Sequence, residues 1–199
     1  MSGKAGNFMA SLEKIESLVE ELKNGNKSAF NELFLLFQKP IYYLAMRIVG
    51  NHHDADEMVQ KTFLQVYQNI HLFRGESSFK TWLYRICVNL CKDHRKSKEQ
   101  QIIKISLEAP SLQKLGTQAN NPTQSLEKED RTKFLLHMIN RLSDQQKTTV
   151  MLRIFEDMAF KEIAHVLECK ESTAKVHYHQ AMLKLKTLLK ETTYDMQGI

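Results

Sequence analysis

Cysteines and long apolar runs are scarce in this 199-residue chain. Three cysteines are too few for a disulfide framework. No run approaches the roughly 18 apolar residues that cross a membrane, and residues 1–10 lack the apolar core of a secretory signal. We therefore expect a cytoplasmic protein without membrane insertion.

The motifs of common enzymes are also missing. The sequence has no phosphate-binding glycine loop, no metal-spaced His/Glu pair and no nucleophile elbow. The run HHDAD at 52–56 is interpreted as a helix start. Cys87, Cys91 and His94 follow one another at helical spacing, but a closed zinc site takes four ligands. The two cysteines are typical of small side chains on a buried face. We expect no catalysis, cofactor or metal.

The composition is that of a basic globular protein of one or two domains. Hydrophobic residues make up 42% of the chain, its formal net charge is +5 and its pI is near 9.0. The charge fits a nucleic-acid partner, although many ordinary basic proteins share it.

Two helices are predicted between residues 54 and 96. In the first, 54–70, Asp54 with Glu57 has capping-box spacing. In the second, 79–96, an apolar stripe recurs every three to four residues. The stripe of the first helix consists of Ala55, Met58, Val59, Phe63, Val66 and Ile70, and that of the second of Phe79, Trp82, Leu83, Ile86, Cys87 and Leu90.

The second helix also has a basic face. Between residues 71 and 98 the chain carries seven Lys or Arg against two acids. The face consists of Arg85, Asn89, Lys92 and Lys96. Phe73, Trp82 and Tyr84 lie close in sequence, and aromatic side chains beside a basic groove suit unpaired bases. A solvated basic face is the plainer alternative.

A short loop, 73–78, joins the two helices. Gly75 permits a turn that other residues resist, and Ser77 or Ser78 can cap the second helix. Loops held by packed helices commonly carry recognition residues.

The remaining pattern predicts an all-α protein with two helical domains and a flexible linker. We expect a first domain at 1–96, in which Ser28 caps one helix and Pro40 starts another. The segment 97–124 is polar, has no sustained helical period and is interpreted as the linker. The second domain is expected at 125–199.

The second domain contains a predicted helix-turn-helix. Ser143 and Gln146 form a second capping box, and a helix is expected around Leu135, Met138, Ile139 and Leu142. Further on, a helix at 160–167, a turn at 168–171 and a helix at 172–190 have the order of the DNA-binding motif. Its second helix reads the major groove with its first residues. A plain helical hairpin is the alternative.

Both halves resemble the extracytoplasmic-function sigma factors of bacterial RNA polymerase. The first half does so through DADEMVQKTFLQVYQ and FRGESSFKTWLYRICVNLCKDHR. The resemblance implies that Asp56, Gln60 and Phe63 face the polymerase β′ clamp. It also implies that the loop and second helix capture the −10 promoter element. The implied −10 residues are Phe73, Arg74, Gly75, Ser77, Ser78, Trp82, Arg85, Asn89 and Lys92.

The second half resembles the sigma-factor domain that reads the −35 element, through LSDQQKTTVMLRIFEDMAFKEIAHVLECKESTAKVHYHQAMLKLKTLL. The implied DNA-binding residues are Ser172, Thr173, Lys175, Val176, His179 and Gln180. The sequence departs from the family at Lys61, Glu168, His177 and Gln180. Because arginine can hold guanine with two bonds and neutral histidine cannot, we expect a weaker or pH-sensitive −35 contact.

The resemblance implies a non-catalytic initiation factor that binds core polymerase, through β′ and β, and promoter DNA. Many relatives are held inactive by an anti-sigma protein, which makes such a protein a candidate partner. A stand-alone helix-turn-helix regulator remains the alternative; it would leave the pattern of residues 54–95 unexplained.

Overall fold

The computed structural model describes residues 2–108, 138–139 and 141–197, with side chains from 12 to 101 and, beyond 137, up to 190. These residues include seven α-helices and a 3₁₀ turn, and none of the described residues lies in a strand. The elements are α1 (Ser2–Lys23), α2 (Lys27–Val49), α3 (His52–Asn69), the 3₁₀ turn (Ile70–Leu72), α4 (Phe79–Glu108), α5 (Asp144–Ile154), α6 (Phe160–Leu167) and α7 (Glu171–Gln197). The all-α prediction is confirmed.

The chain divides into two compact units, residues 1–117 and 118–199. In the first unit α2 packs against α1, α3 and α4, and α3 also packs against α4. The predicted apolar stripe of α3 is buried throughout. Other core members are Leu18, Leu22, Leu33, Ile41, Leu44, Leu83 and Val88. The four helices thus hold the loop at 73–78 on a common apolar core.

Two predicted helix starts in this unit are wrong. Asn26, not Ser28, caps α2, because its side-chain oxygen accepts a hydrogen bond from the Ser28 amide at 3.0 Å. Pro40 lies inside α2 rather than at the start of a new helix. Proline removes one backbone hydrogen bond, yet Phe37 and Ile41 on either side of it are buried, and this packing favours a continuous helix.

The start of α3 is also corrected. Asn51 is its cap and accepts a hydrogen bond from the Asp54 amide at 2.9 Å. The Asp54 carboxylate is therefore available for the contacts described below.

The helix α4 continues to Glu108, twelve residues beyond the expected end at Lys96. Residues 97–108, SKEQQIIKISLE, contain good helix formers and neither glycine nor proline. Pro110, whose preceding residue is disfavoured in a helix, follows two residues after Glu108. The prediction of a linker is therefore wrong for residues 97–108, because a polar composition alone does not indicate a linker. Residues 109–124 lie outside the described residues.

The second unit contains α5, α6 and α7, and each packs against the other two. The capping box at its start is confirmed: the Gln146 amide donates to Ser143 Oγ at 3.4 Å, and the Ser143 amide donates to Gln146 Oε1 at 3.2 Å. Leu142, Val150 and Ala181 form its core with Tyr178 and Leu185.

The helix expected before α5 lies mostly outside the described residues. Within it, Met138 and Ile139 are helical, whereas Leu142 lies in a turn and packs on α7. In the described stretches 2–108, 138–139 and 141–197, no helix combines the length and apolar character of a membrane span.

Candidate polymerase and DNA interface

The exposed side of α3 contains two of the three residues expected to face the polymerase. Asp56 and Gln60 are exposed and lie four residues apart, on one face of the helix. Leu64, 55% exposed, and Tyr67, 45% exposed, continue this face. Leu64 and Tyr67 were not identified from the sequence as contact residues. The signal was available, because both are apolar and neither belongs to the buried stripe of this helix. Together the four form a surface with a polar and an apolar end.

Phe63 lies beneath this surface and not on it. Its side chain is 3% exposed, and its ring packs edge-on against Phe34 at 4.8 Å and Phe30 at 6.3 Å between centroids. The role predicted for Phe63 is corrected accordingly, from a contact residue to a support for the helix face. Lys61, a departure from the family pattern, pairs with Glu57 on the same helix at 2.6 Å.

The loop at 73–78 presents several of the predicted −10 residues to solvent. Arg74, Gly75 and Ser78 are exposed, whereas Phe73 and Ser77 are half-buried. Gly75 has φ of +75°, which confirms the turn that only glycine adopts readily. Of the two candidate caps, Ser78 is the one used, since its Oγ accepts from the Thr81 amide at 3.1 Å.

An aromatic cluster of Phe73, Phe79 and Trp82 supports the loop. The Phe73 ring lies 5.3 Å from Trp82 and 6.0 Å from Phe79, and the Lys23 ammonium of α1 lies 5.4 Å from the Phe73 ring centroid. Trp82 is only 8% exposed and Tyr84 is fully buried. The prediction that Trp82 and Tyr84 stack on bases is therefore corrected. Tyr84 lies in the core, and Trp82 packs against Phe73 of the loop.

The basic face of α4 is accessible. Arg85, Asn89 and Lys92 are half-buried. Arginine and lysine side chains in such positions can pack their stems on the protein and keep their charged ends in water. Lys96 is exposed one turn further on. Leu83 and Cys87 on the opposite face lie in the core, and so does Val88 beside the basic face. The helix α4 can thus offer the hydrogen-bond donors of these side chains to a ligand while it stays packed in the core.

A buried carboxylate joins the start of α3 to the later turns of α4. Asp54 is 4% exposed; its Oδ2 accepts from Asn51 Nδ2 at 2.7 Å and from Lys98 Nζ at 2.5 Å, and His94 Nε2 lies 3.1 Å away. Burial by itself raises the pKa of Asp54, but the hydrogen bonds from Lys98 and Asn51, together with the nearby His94 ring, outweigh it and leave this pKa well below its usual range. Sequence reasoning assigned Asp54 only to a cap and missed this network.

The helix-turn-helix has the predicted form, with α6 at Phe160–Leu167 and the turn before Glu171. The second helix starts one residue earlier than expected, so Ser172 lies in its first turn. Ala174 and Ala181 face the core. Of the predicted −35 residues Thr173 is half-buried. The others are exposed: Ser172, Lys175, Val176, His179 and Gln180.

The departures from the family pattern have distinct structural settings. Glu168 takes a left-handed conformation with φ of +54°, at a position where glycine is favoured. His177 is half-buried. Gln180 accepts a long hydrogen bond of 3.4 Å from Gln146 of the capping box, and Lys175 pairs with Glu171 at 2.7 Å.

Cys87, Cys91 and His94, the candidate metal ligands, do not point to a common site. Cys87 and Cys91 are buried in the core. Their mutual hydrogen bond, together with burial, raises the pKa of the Cys91 thiol above its ordinary value, which disfavours the thiolate that metals bind. His94 turns instead towards Asp54.

Comparison with known proteins places both units in one family. Residues 33–101 match the family described as Sigma-70 region 2, and residues 133–185 match Sigma-70, region 4. The RNA polymerase sigma-H factor of Pseudomonas aeruginosa is 30% identical over 178 residues, which are 87% of this chain and 92% of the relative. The extracytoplasmic-function (ECF) RNA polymerase sigma-E factor of Haemophilus influenzae is 29% identical and covers 83% of this chain and 90% of the relative.

Solved structures agree on the fold. The structure of CnrH in complex with the cytosolic domain of CnrY has a TM-score of 0.68 at 19% identity and covers 89% of this chain and 98% of that one. The sigma factor RpoE in complex with the anti-sigma factor NepR from Bartonella quintana has a TM-score of 0.62 at 22% identity, with coverages of 81% and 96%.

An accessible basic helix in one helical unit and a helix-turn-helix in the other define a DNA-binding transcription factor. The matches to both sigma-70 regions, in this order, go further. The chain belongs to the extracytoplasmic-function sigma factors of bacterial RNA polymerase. Its function is that of a sigma factor and not of a stand-alone regulator.

Proposed function

We propose that this sigma factor divides its work among three surfaces. The α3 surface of Asp56, Gln60, Leu64 and Tyr67 binds core polymerase. The loop at 73–78 and the basic face of α4 capture the unpaired −10 strand, and the first turns of α7 read the −35 duplex. The observation that carries this proposal is the accessible row of Arg85, Asn89 and Lys92 on a helix whose opposite side is core.

The chemistry of the first unit suits single-stranded DNA. Arg85 and Lys92 supply phosphate contacts, while Asn89 between them can bond a base edge with its amide. The exposed loop residues Arg74 and Ser78 add donors at the end of this row. Because lysine and arginine displace counterions from phosphate, the affinity should fall steeply with salt.

The second unit suits duplex DNA. The free amides and the dipole at the start of α7 favour phosphate, and Lys175, Val176 and His179 lie at the surface within its first turns. Val176, 50% exposed, can contact a thymine methyl group.

This division leaves the chemistry of RNA synthesis to the polymerase. We infer that the chain has no catalytic activity of its own and acts in the cytoplasm, where its polymerase and promoters are. An anti-sigma protein that covers the α3 surface is a further proposed partner, since RpoE of Bartonella quintana forms a complex with the anti-sigma factor NepR. In a pull-down from the native organism, the proposed partner should be captured by the wild type and lost with Leu64→Ala.

Run-off transcription with bacterial core polymerase tests the central proposal. The wild type should give new defined start sites on fragments of the organism's promoters. Gln60→Ala should weaken binding to core polymerase, whereas Gln65→Ala should not, because Gln65 is exposed on another side of the same helix. Equal behaviour of these two variants would contradict the assignment of the α3 surface.

The DNA surfaces are tested separately with the assembled holoenzyme. Asn89→Ala should weaken binding to a −10 single strand and leave binding to a −35 duplex unchanged. Lys175→Ala should do the reverse. Lys190→Ala, an equal loss of charge at an exposed position later in α7, should have little effect on either. A uniform loss with all three variants would indicate non-specific attraction instead.

A further inference from the structure

The contacts of Asp54 involve the turns of α4 that directly follow its buried stretch up to Cys91. Between residues 79 and 101 the last buried residue of α4 is Cys91, and from 92 to 101 the side chains are half-buried or exposed. His94 and Lys98 lie in this segment, and both approach the same carboxylate oxygen of Asp54. Two contacts to a single carboxylate thus link these turns of α4 to the start of α3.

The same segment carries much of the basic charge proposed to meet DNA. Lys92, Arg95 and Lys96 lie between Cys91 and Lys98. Their backbone is fixed on one side by the core and on the other by the Asp54 contacts. If the second attachment were lost, these turns would lose their link to the start of α3, and the three cations would be less well ordered.

We infer that Asp54 is a positioning residue for promoter capture, which holds the basic turns of α4 at residues 92–98 in place through Lys98 and His94. This inference rests on the proposed −10 function of α4. Asp54 itself is buried, so that it acts through Lys98 and His94 and not by contact with DNA.

The ligand atoms around Asp54 are also arranged as in a metal site, but lysine ammonium groups lie against the two carboxylates. Ligand atoms of Asp54, Glu57 and His94 lie within 4.8 Å of one another. The Lys98 ammonium already lies against Asp54 at 2.5 Å, and the Lys61 ammonium against Glu57 at 2.6 Å. Two lysines therefore neutralise the two carboxylates, and Lys98 provides the link between the helices that a metal would otherwise provide.

The charge of Asp54 and its positioning role predict opposite effects of Asp54→Asn on DNA binding. Asp54→Asn removes a negative charge, and a purely electrostatic effect would tighten DNA binding. Loss of positioning would weaken it instead. The direction of the change therefore distinguishes the two explanations.

The experiment measures binding of the assembled holoenzyme to a −10 single strand by fluorescence anisotropy, at a temperature where every variant is folded. Asp54→Asn and Lys98→Met should each weaken binding about tenfold, which is the scale of one lost charge-assisted hydrogen bond. The double variant should be no weaker than the weaker single variant, because both changes remove the same link. Lys96→Met, a matched loss of charge at an exposed position on the same helix, should weaken binding less than Lys98→Met and reduce the salt slope by about 0.7.

Hydrogen exchange on the free protein provides a second readout. Asp54→Asn should speed amide exchange at residues 94–101 while α2 and the second unit keep wild-type rates. Unchanged exchange there, or unchanged or tighter DNA binding by Asp54→Asn, would overturn the inference. If the wild-type holoenzyme itself failed to bind the −10 strand, the proposed function would fail first, and the exchange result would still show whether Asp54 orders α4.

Discussion

Glu168 holds a left-handed backbone conformation between the two helices of the helix-turn-helix. Its φ is +54° and its ψ is +45°, and the Glu168 amide bonds the carbonyl of Ala164 to close α6. Residues with a Cβ atom are strained in this region, whereas glycine is not. The turn therefore keeps its shape at the expense of stability.

Replacing Glu168 with glycine should stabilise the second unit. We expect a gain of about 0.5 to 1 kcal/mol, because relief of strain exceeds the extra freedom of glycine in the unfolded chain. Urea unfolding of the full chain measures it. The control Lys186→Gly, at an exposed helical position of α7, should destabilise the unit by a similar amount. A loss of stability in both variants would show that the turn is not strained.

Asp54 should make stability depend on acid pH. Since its pKa is lower in the folded protein than in the unfolded chain, its contribution is present above the unfolded value of about 4 and is lost as pH falls below it. At pH 7 we expect Asp54→Asn to be less stable by about 1 to 3 kcal/mol. The difference from wild type should shrink below about pH 4. Denaturant unfolding between pH 3 and 7 measures it, and a constant difference would contradict the role of this carboxylate.

At the scale of the element, α4 is the helix that departs most from its expected length. Its middle is fixed by buried residues such as Leu83 and Val88. Its later turns have no such burial through residue 101 and depend on helix propensity and on the link to Asp54. One continuous helix thus spans a packed part and an extended part.

A proline placed in the extended part tests this continuity. Gln100→Pro should remove a backbone hydrogen bond and cost about 3 kcal/mol of local helix stability, while the core of the first unit stays folded. Hydrogen-exchange mass spectrometry should show loss of protection at 97–108 and unchanged protection in α2 and α3. Gln100→Ala should keep the protection of wild type. If wild type is itself unprotected over 97–108, the segment behaves as the linker that its composition suggested.

At the scale of the whole molecule, the chain has two compact units with different DNA chemistry. The first carries the half-buried row on α4, and the second carries the surface residues in the first turns of α7. A promoter with two elements can therefore be read by independent sets of contacts.

This independence predicts additive energetics. In the holoenzyme, Asn89→Ala and Lys175→Ala should together reduce the free energy of promoter binding by the sum of their separate effects, to within about 0.5 kcal/mol. Titration of a promoter with both elements measures all four proteins of the cycle. A larger departure from the sum would show that capture of one element depends on the other.

The sequence alone determined the all-α class, the helix-turn-helix and the family. Periodic apolar stripes, such as Ala55 to Val66, record which face is buried, and local signals such as Ser143 with Gln146 or Gly75 act over a few residues. These features depend on neighbours along the chain, so a pattern can reveal them.

Only the tertiary structure decided which apolar or charged side chains reach a surface. Phe63 is buried because Phe30 and Phe34 of α2, about thirty residues away in sequence, pack on it, while Leu64 remains exposed. The bond between Asp54 and Lys98 joins positions 44 residues apart. The burial of Phe37 and Ile41 in the core likewise favours a continuous α2 across Pro40. Such outcomes depend on what lies across the core, which no local pattern contains.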